Sequence, residues 1–334
     1  MLKSFLLENW KVFTESPFPS SMEAVPITSC TKDYGNDVVL IFINNYPYPQ
    51  YIMKISRSPF YGLKLKNEYL ALKSLQKVKG LNYYVPFPYY CGSLGGNIFF
   101  IQGGIPGTSL WRLIRKKKSI DACKLLIDES IDLLIAINSL GFSRDRVFSE
   151  EKKNGHFLTQ YEEEFIGSGL SIKKIEELKD YWEKFEKYGH RFFLHGDYWQ
   201  ANIMVDERGR KISGIIDWEF SEESASAPTD IIWFMINLGY CLYLRANPEG
   251  DLLDSFRWSF FTPGRHSEML SSIFSKYITA IGWKQDLLRI LLETALVEMS
   301  VRNLVTYGRH FDMDKICLQM LHYAIANEGS ICIR

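Results

Sequence analysis

Residues 192–220, FFLHGDYWQANIMVDERGRKISGIIDWEF, constrain what this chain can fold into more than any other stretch. NIMV and KISGII are short runs rich in β-formers that flank DERGR, a pattern that predicts a β-hairpin with its turn near 207–209. Pairing across the hairpin sets Asn202, just before the first strand, roughly opposite Asp217, just after the second. The two side chains then lie about one strand spacing, roughly 5 Å, apart. Asp197 precedes them on the loop that feeds the hairpin. An acid, an amide and a second acid converging in this way form a set of hard oxygen donors. Such a set suits magnesium held by one or two protein oxygens and by substrate phosphates. Asp and Asn are also common turn residues, so any one of the three alone would be unremarked; it is their shared register that points to chemistry.

Upstream, residues 38–44 (VVLIFIN) and 50–56 (QYIMKIS) read as an antiparallel strand pair joined by NYPYP, whose prolines cannot continue a ladder. Leu65, Tyr69, Leu72 and Leu75 fall at helical spacing and predict an amphipathic helix over 65–75. A further strand, NIFFIQ, runs into GGIPGTSL, where glycines and proline break regular structure. The break divides the chain into a small mixed N-terminal lobe, 1–103, and a mainly helical lobe, 104–334. The latter has helices over 120–140, 175–188, 231–244, 286–307 and 313–327. Lys54 sits mid-strand between Met53 and Ile55, where an unpaired ammonium is costly to bury. Glu68 lies on or beside the apolar stripe of the following helix. A strand lysine paired with an inward helix glutamate is how kinases fix the α- and β-phosphates of ATP. The plain alternative is a snorkelling lysine and a surface glutamate.

The chain's 334 residues are about twice a typical domain. Lys plus Arg and Asp plus Glu number 39 each, so there is no basic surplus to displace counterions, which argues against bulk nucleic-acid binding and leaves only local patches. The longest apolar run, 231–244, is closed by Asp230 and Arg245 and falls short of the roughly 20 residues a bilayer span needs. It predicts a buried helix and no membrane insertion. The N-terminal apolar run stops at Glu8, which is no secretory signal, and Cys30, Cys91, Cys123, Cys241, Cys317 and Cys332 are scattered without a CxxC pair. Reduced thiols and a cytoplasmic setting are expected.

His195-Gly196-Asp197 followed by Asn202, and then Ile216-Asp217-Trp218-Glu219, resembles the HGDxxxxN and IDWE signature of the aminoglycoside phosphotransferase and choline kinase superfamily. These are small-molecule kinases with a protein-kinase-like fold. Lys54, Glu68, the FFIQGGIPG hinge and Asp230 occur in the family's order. The resemblance implies a bilobal α+β fold, with a small antiparallel-sheet lobe carrying one key helix and a larger helical lobe. It also implies ATP and Mg2+ as cofactors, and a sugar, aminoglycoside or amino alcohol hydroxyl as acceptor.

Carried over by position, Asp197 resembles the catalytic base, and Asn202 and Asp217 resemble the magnesium ligands. Lys54 resembles the α/β-phosphate contact, with Glu68 holding it. Gln102, Gly103 and Ile105 resemble the hinge that reads the adenine edge, and Met204 and Ile216 the apolar floor beneath the ring. His195 resembles a packed structural histidine. Asp230 resembles an aspartate that braces the catalytic loop, although a helix N-cap explains it equally well. The phosphate-covering loop departs from the kinase pattern: TKDYGND offers Gly35 alone, with the backbone of 34–37 as the cover.

Acceptor candidates are Glu219, Glu222, Glu223 and the glutamates 162–164, together with Trp199, Trp218, Trp233, Tyr240 and Trp258. None is singled out, since such residues are most often solvated or core; the basic run 115–118 likewise reads as a solvated face. A protein kinase is disfavoured, because IDWE stands in place of DFG and the span from Asp217 to Asp230 is short for an activation loop. A pseudokinase or nucleotide-binding interaction module has the glycine-poor loop in its favour and the retained polar residues against it.

Overall fold

Strict alternation of side chains builds the sheet that carries the first half of the site. In the computed structural model, which describes residues 2–27, 35–117, 119–142, 172–188, 190–307 and 313–333, five strands pair antiparallel. They are β1 (Met22–Ile27), β2 (Asn36–Ile43), β3 (Tyr51–Ser56), β4 (Pro88–Leu94) and β5 (Asn97–Gly103), in the order β1-β2-β3-β5-β4. Val39, Ile41, Met53, Phe99 and Ile101 turn to one face. There they pack with Leu6, Trp10 and Phe13 from two short helices, α1 (Leu2–Glu8) and α2 (Trp10–Phe13). The neighbouring positions Leu40, Ile52 and Gln102, which pair across β2, β3 and β5, face the other way with Lys54. The two strands that the sequence reading missed, β1 and β4, are the sheet edges, and each contains a proline, Pro26 or Pro88, of the kind edges tolerate and central strands do not.

Helix α3 (Pro59–Leu75) begins at Pro59 rather than at Leu65. Ser58 caps it, accepting the Tyr61 N–H, and proline occupies the first turn, where its missing N–H does no harm. Tyr61, Leu65, Glu68, Leu72 and Leu75 form its buried stripe.

The predicted hairpin is present as Ile203–Val205 and Ile212–Ile215, with Thr108–Ser109 as a third strand. Its turn is held by the Asp206 N–H to Lys211 O bond at 3.0 Å and by Gly209 at φ 66°. A bulge between Met204 and Val205 shifts the register by one residue. The Ile216 N–H therefore donates to Asn202 O at 2.9 Å, and Asp217 lies one residue beyond the position opposite Asn202.

The chain divides into two units, Met1–Leu110 with Ala201–Ser221, and Trp111–Gln200 with Glu222–Arg334. The second is mainly helical. Its helices Lys124–Asn138, Ile172–Tyr188, Asp230–Ala246, Leu288–Tyr307 and Met313–Ala326 match predicted stretches. Leu252–Phe261 and Arg265–Ala280 were not predicted: they are rich in serine, which favours helices weakly, and are held by buried Phe256, Phe260, Leu270, Phe274 and Tyr277. The apolar run at 231–244 is a core helix, and among the described residues no helix is long and apolar enough to cross a membrane. Cys91, Cys123, Cys241, Cys317 and Cys332 are free thiols, while Cys30 lies outside the described residues.

Candidate active site

Lys54 stands in β3 with a strand on either side, so it has no edge from which to snorkel. Its Nζ donates to both carboxylate oxygens of Glu68, at 2.9 and 2.8 Å, and to Asp217 Oδ1 at 2.8 Å. Glu68 is fully buried, and one of its oxygens also accepts the Trp218 N–H at 3.4 Å. Helix α3 is thus tied at one point to the strand lysine and to the turn after the hairpin. Asp217 sits at φ 70°, a left-handed conformation that costs a non-glycine residue energy and that clusters at functional positions.

Glu219 completes the group. Asn36 Nδ2 donates to its Oε2 at 3.1 Å, and Asn67 Nδ2 holds the backbone behind it through Glu219 O at 3.3 Å and Ser221 O at 2.9 Å. Three carboxylates therefore surround one ammonium. Burial favours the neutral amine of Lys54, but Asp217, Glu68 and Glu219 outweigh it and hold the ammonium above its ordinary range. Burial raises Glu68 in spite of Lys54. Glu219 is pushed up to about 7, first by burial and then by the Asp217 charge.

These groups close one end of a cleft of about 510 Å3, within the range of small-molecule sites. Gly35, Lys54, Gln102, Gly103, Ile105, Met204, Ile216 and Asp217 all line it. Tyr34, expected beside Gly35 in the phosphate cover, lies outside the described residues. The hinge is drawn tight against the β2–β3 connection. The Gly103 N–H donates to Phe87 O and the Gly104 N–H to Gln50 O, both at 2.8 Å. A Cβ on Gly104 would fall 1.9 Å from Pro49 O, so only glycine fits there. Asn202 is buried beside Ile216 but does not line the cleft.

Asp197 belongs to the second unit, a few residues along the chain from Asn202. Its loop follows the strand Phe192–Leu194 and turns at Gly196, φ 80°. The buried Asp230 carboxylate accepts the His195 N–H at 2.7 Å and the Gly196 N–H at 2.9 Å, and Asn138 adds a third bond at 3.4 Å. Thr229 occupies the N-cap position, so Asp230 braces the loop rather than capping its own helix. Burial pushes Asp230 up to about 6 although the two amides oppose it. His195 is fully buried, and its Nδ1 accepts the Asp197 N–H at 3.2 Å; it is a packed, hydrogen-bonded histidine. Arg302 donates to Gly196 O.

Two of the acceptor candidates have other surroundings. Trp218 is fully buried, with its Nε1 donating to Ile215 O at 2.9 Å, and Trp233 Nε1 donates to Asp197 Oδ1 at 2.7 Å. Glu219 likewise belongs to the Lys54 group; its place two residues after Asp217, on the same turn, was the signal for that. The glutamates 162–164 lie outside the described residues.

A five-stranded sheet with a buried lysine–glutamate pair and a mainly helical second unit form the α+β fold that the sequence resemblance implies. The model of the phosphotransferase enzyme family APH matches residues 26–245, and the chain belongs to that family. It is a small-molecule phosphotransferase. No curated protein matches by sequence. Among solved structures, the GDP and kanamycin complex of APH(2")-IIia is similar at 15% identity, with TM-score 0.52 over 98% of this chain and 99% of that one. The aminoglycoside phosphotransferase APH(3'')-Id from Streptomyces rimosus ATCC10970, in complex with ADP and streptomycin, is similar at 11% identity, with TM-score 0.51 over 96% of each chain. At these identities the likeness is one of fold.

Proposed function

We propose that this protein transfers the γ-phosphoryl group of ATP, in the presence of Mg2+, to a hydroxyl of a sugar, aminoglycoside or amino alcohol. The observation that carries the reading is the single ammonium of Lys54 held jointly by Glu68 and Asp217 at the polar end of the cleft. Lys54 is the contact for the α- and β-phosphates, and Glu68 keeps it aimed. Asn202 and Asp217 are the protein ligands for magnesium. The donor set fits: an amide oxygen and a carboxylate are both hard oxygen ligands. That suits an ion whose remaining ligands are phosphate and water. Magnesium, when bound, supplies charge neutralisation on the phosphate oxygens.

Asp197 orients the acceptor hydroxyl and receives its proton as the new O–P bond forms and the β–γ bridge breaks, releasing ADP. Positioning and charge account for most of the acceleration. The similar structures bound to kanamycin and streptomycin put amino sugars at the head of the acceptors to try.

Calorimetry of ATP binding with and without Mg2+ tests the nucleotide half of this reading. Wild-type protein is expected to bind more tightly with the metal, Asp217→Ala to lose that dependence, and Asp197→Asn to keep it. Equal metal dependence in Asp217→Ala would remove Asp217 from the ligand set. Nucleotide binding without any turnover would favour an interaction module.

A further inference from the structure

Helix α3 grips the turn that follows Asp217 through three side chains. Lys64, Asn67 and Glu68 stand three and four residues apart and so share one side of the helix. Glu68 accepts the Trp218 N–H at 3.4 Å, and the turn closes on itself where the Ser221 N–H donates to Trp218 O at 3.0 Å. The Lys64 ammonium lies 3.9 Å from the centre of the Phe220 ring. Asn67 makes the shortest of the bonds from α3 to this backbone: its Nδ2 donates to Ser221 O at 2.9 Å, and also to Ser221 Oγ at 3.2 Å and Glu219 O at 3.3 Å. Two of these acceptors are backbone carbonyls, which cannot donate, so only the NH2 end of the amide can face them and its orientation is fixed.

The residue before this turn is Asp217, at φ 70°. Outside glycine, a left-handed residue persists only where its surroundings over-determine it. Lys54 holds the Asp217 side chain through Oδ1 at 2.8 Å, and the backbone that follows is held from α3. All of these residues belong to the first unit. Asn67 is exposed and does not line the cleft, so its influence on a bound ligand passes through the turn.

We infer that Asn67 is a positioning residue for Asp217: by pinning the turn 218–221 to α3 it keeps the Asp217 carboxylate set for its role as a magnesium ligand. The inference rests on the nucleotide-binding reading above. Loss of the Asn67 donor frees the turn and lets Asp217 relax toward the ordinary β region, which moves its carboxylate. Lys54, Glu68 and the apolar lining of the cleft stay as they are.

The test measures the dissociation constant of ATP by calorimetry, with Mg2+ and with EDTA. The proteins are the full-length wild type, Asn67→Ala and Asn67→Asp, each checked for its thermal midpoint. Alanine favours a helix more than asparagine does, so α3 is expected to keep its fold. Aspartate keeps the shape but sets a carboxylate against the two carbonyl oxygens. Wild type is expected to bind more tightly with the metal. In Asn67→Ala that gain falls by about tenfold, a size usual when the support of a metal ligand is removed, and in Asn67→Asp by at least as much. Affinity in EDTA stays at the wild-type value in both, a split that general loosening of the sheet and α3 would not give. A full metal gain in Asn67→Ala, a smaller loss in Asn67→Asp than in Asn67→Ala, or an equal fall with and without metal overturns the inference alone. Should wild type bind no ATP, or bind it equally with and without Mg2+, the nucleotide-binding reading fails and this inference with it. The two substitutions perturb the helix differently, so poor folding of one leaves the other to decide.

Discussion

Trp233 donates its indole N–H to Asp197 Oδ1 at 2.7 Å, fixing the direction in which the proposed catalytic carboxylate points. Hydrogen bonds to charged groups are worth about 1.5–3 kcal/mol. Trp233→Phe keeps the ring and removes the donor, so kcat is expected to fall by roughly tenfold or more. The KM for ATP should hold, because the cleft is built from residues of the first unit alone. Steady-state kinetics check this; an unchanged kcat would mean the bond does not position Asp197.

The Lys54–Glu68 pair predicts a separation of stability from activity. Lys54→Met leaves the Glu68 carboxylate buried without its partner, and such breaks cost roughly 3 kcal/mol. Lys54→Met combined with Glu68→Leu removes both charges and should recover most of that loss in urea unfolding while remaining inactive. A double variant as unstable as the single one would contradict the account.

Asp230 predicts a pH dependence of known sign. An ordinary aspartate loses its proton near 3.8, whereas folded Asp230 keeps it to about 6. The folded protein therefore binds the extra proton between those values, and the associated stability is lost as pH rises from about 4 to 6. At 1.36 kcal/mol per unit the loss is roughly 3 kcal/mol at most. Asp230→Ala does not titrate there, although it orphans the His195 and Gly196 amides and is less stable throughout. The stability difference, wild type minus variant, should shrink between pH 4 and 6 and then level off. A flat or rising difference in urea titrations would sink the assignment.

Gly104→Ala drives a methyl group against Pro49 O, a backbone atom that cannot swing aside. We expect a loss of about 1–3 kcal/mol and weaker ATP binding as the hinge shifts. Gly329→Ala, with nothing within 4 Å, is the matched control and should be neutral. Equal thermal midpoints for the two variants would show that the hinge is not as tightly drawn as described.

Much of this site was legible in the sequence because its residues sit on short-range patterns. The hairpin announced itself through NIMV, a polar turn and KISGII, and Lys54 through its place inside an alternating strand. What escaped notice depended on tertiary context. β1 and β4 carry prolines that argue against strands except at edges, and which strands form edges is a property of the whole sheet. A bulge that composition does not mark brings Asp217 one residue closer to the position opposite Asn202 than the register at the turn would. Trp233 looked like a surface to stack on, and its hydrogen bond to Asp197 spans 36 residues of chain. Asp230 had two equal readings until its carboxylate was seen to reach the amides of His195 and Gly196.

Release of ADP from Mg-ATP tests the central claim most directly, measured against a panel of aminoglycosides, sugars, choline, ethanolamine and homoserine, with Asp197→Asn alongside. The account predicts ADP release that depends on at least one of these hydroxyl-bearing acceptors and is abolished in Asp197→Asn. Acceptor-dependent release that survives in Asp197→Asn, or ATP binding with no release for any acceptor, would contradict it.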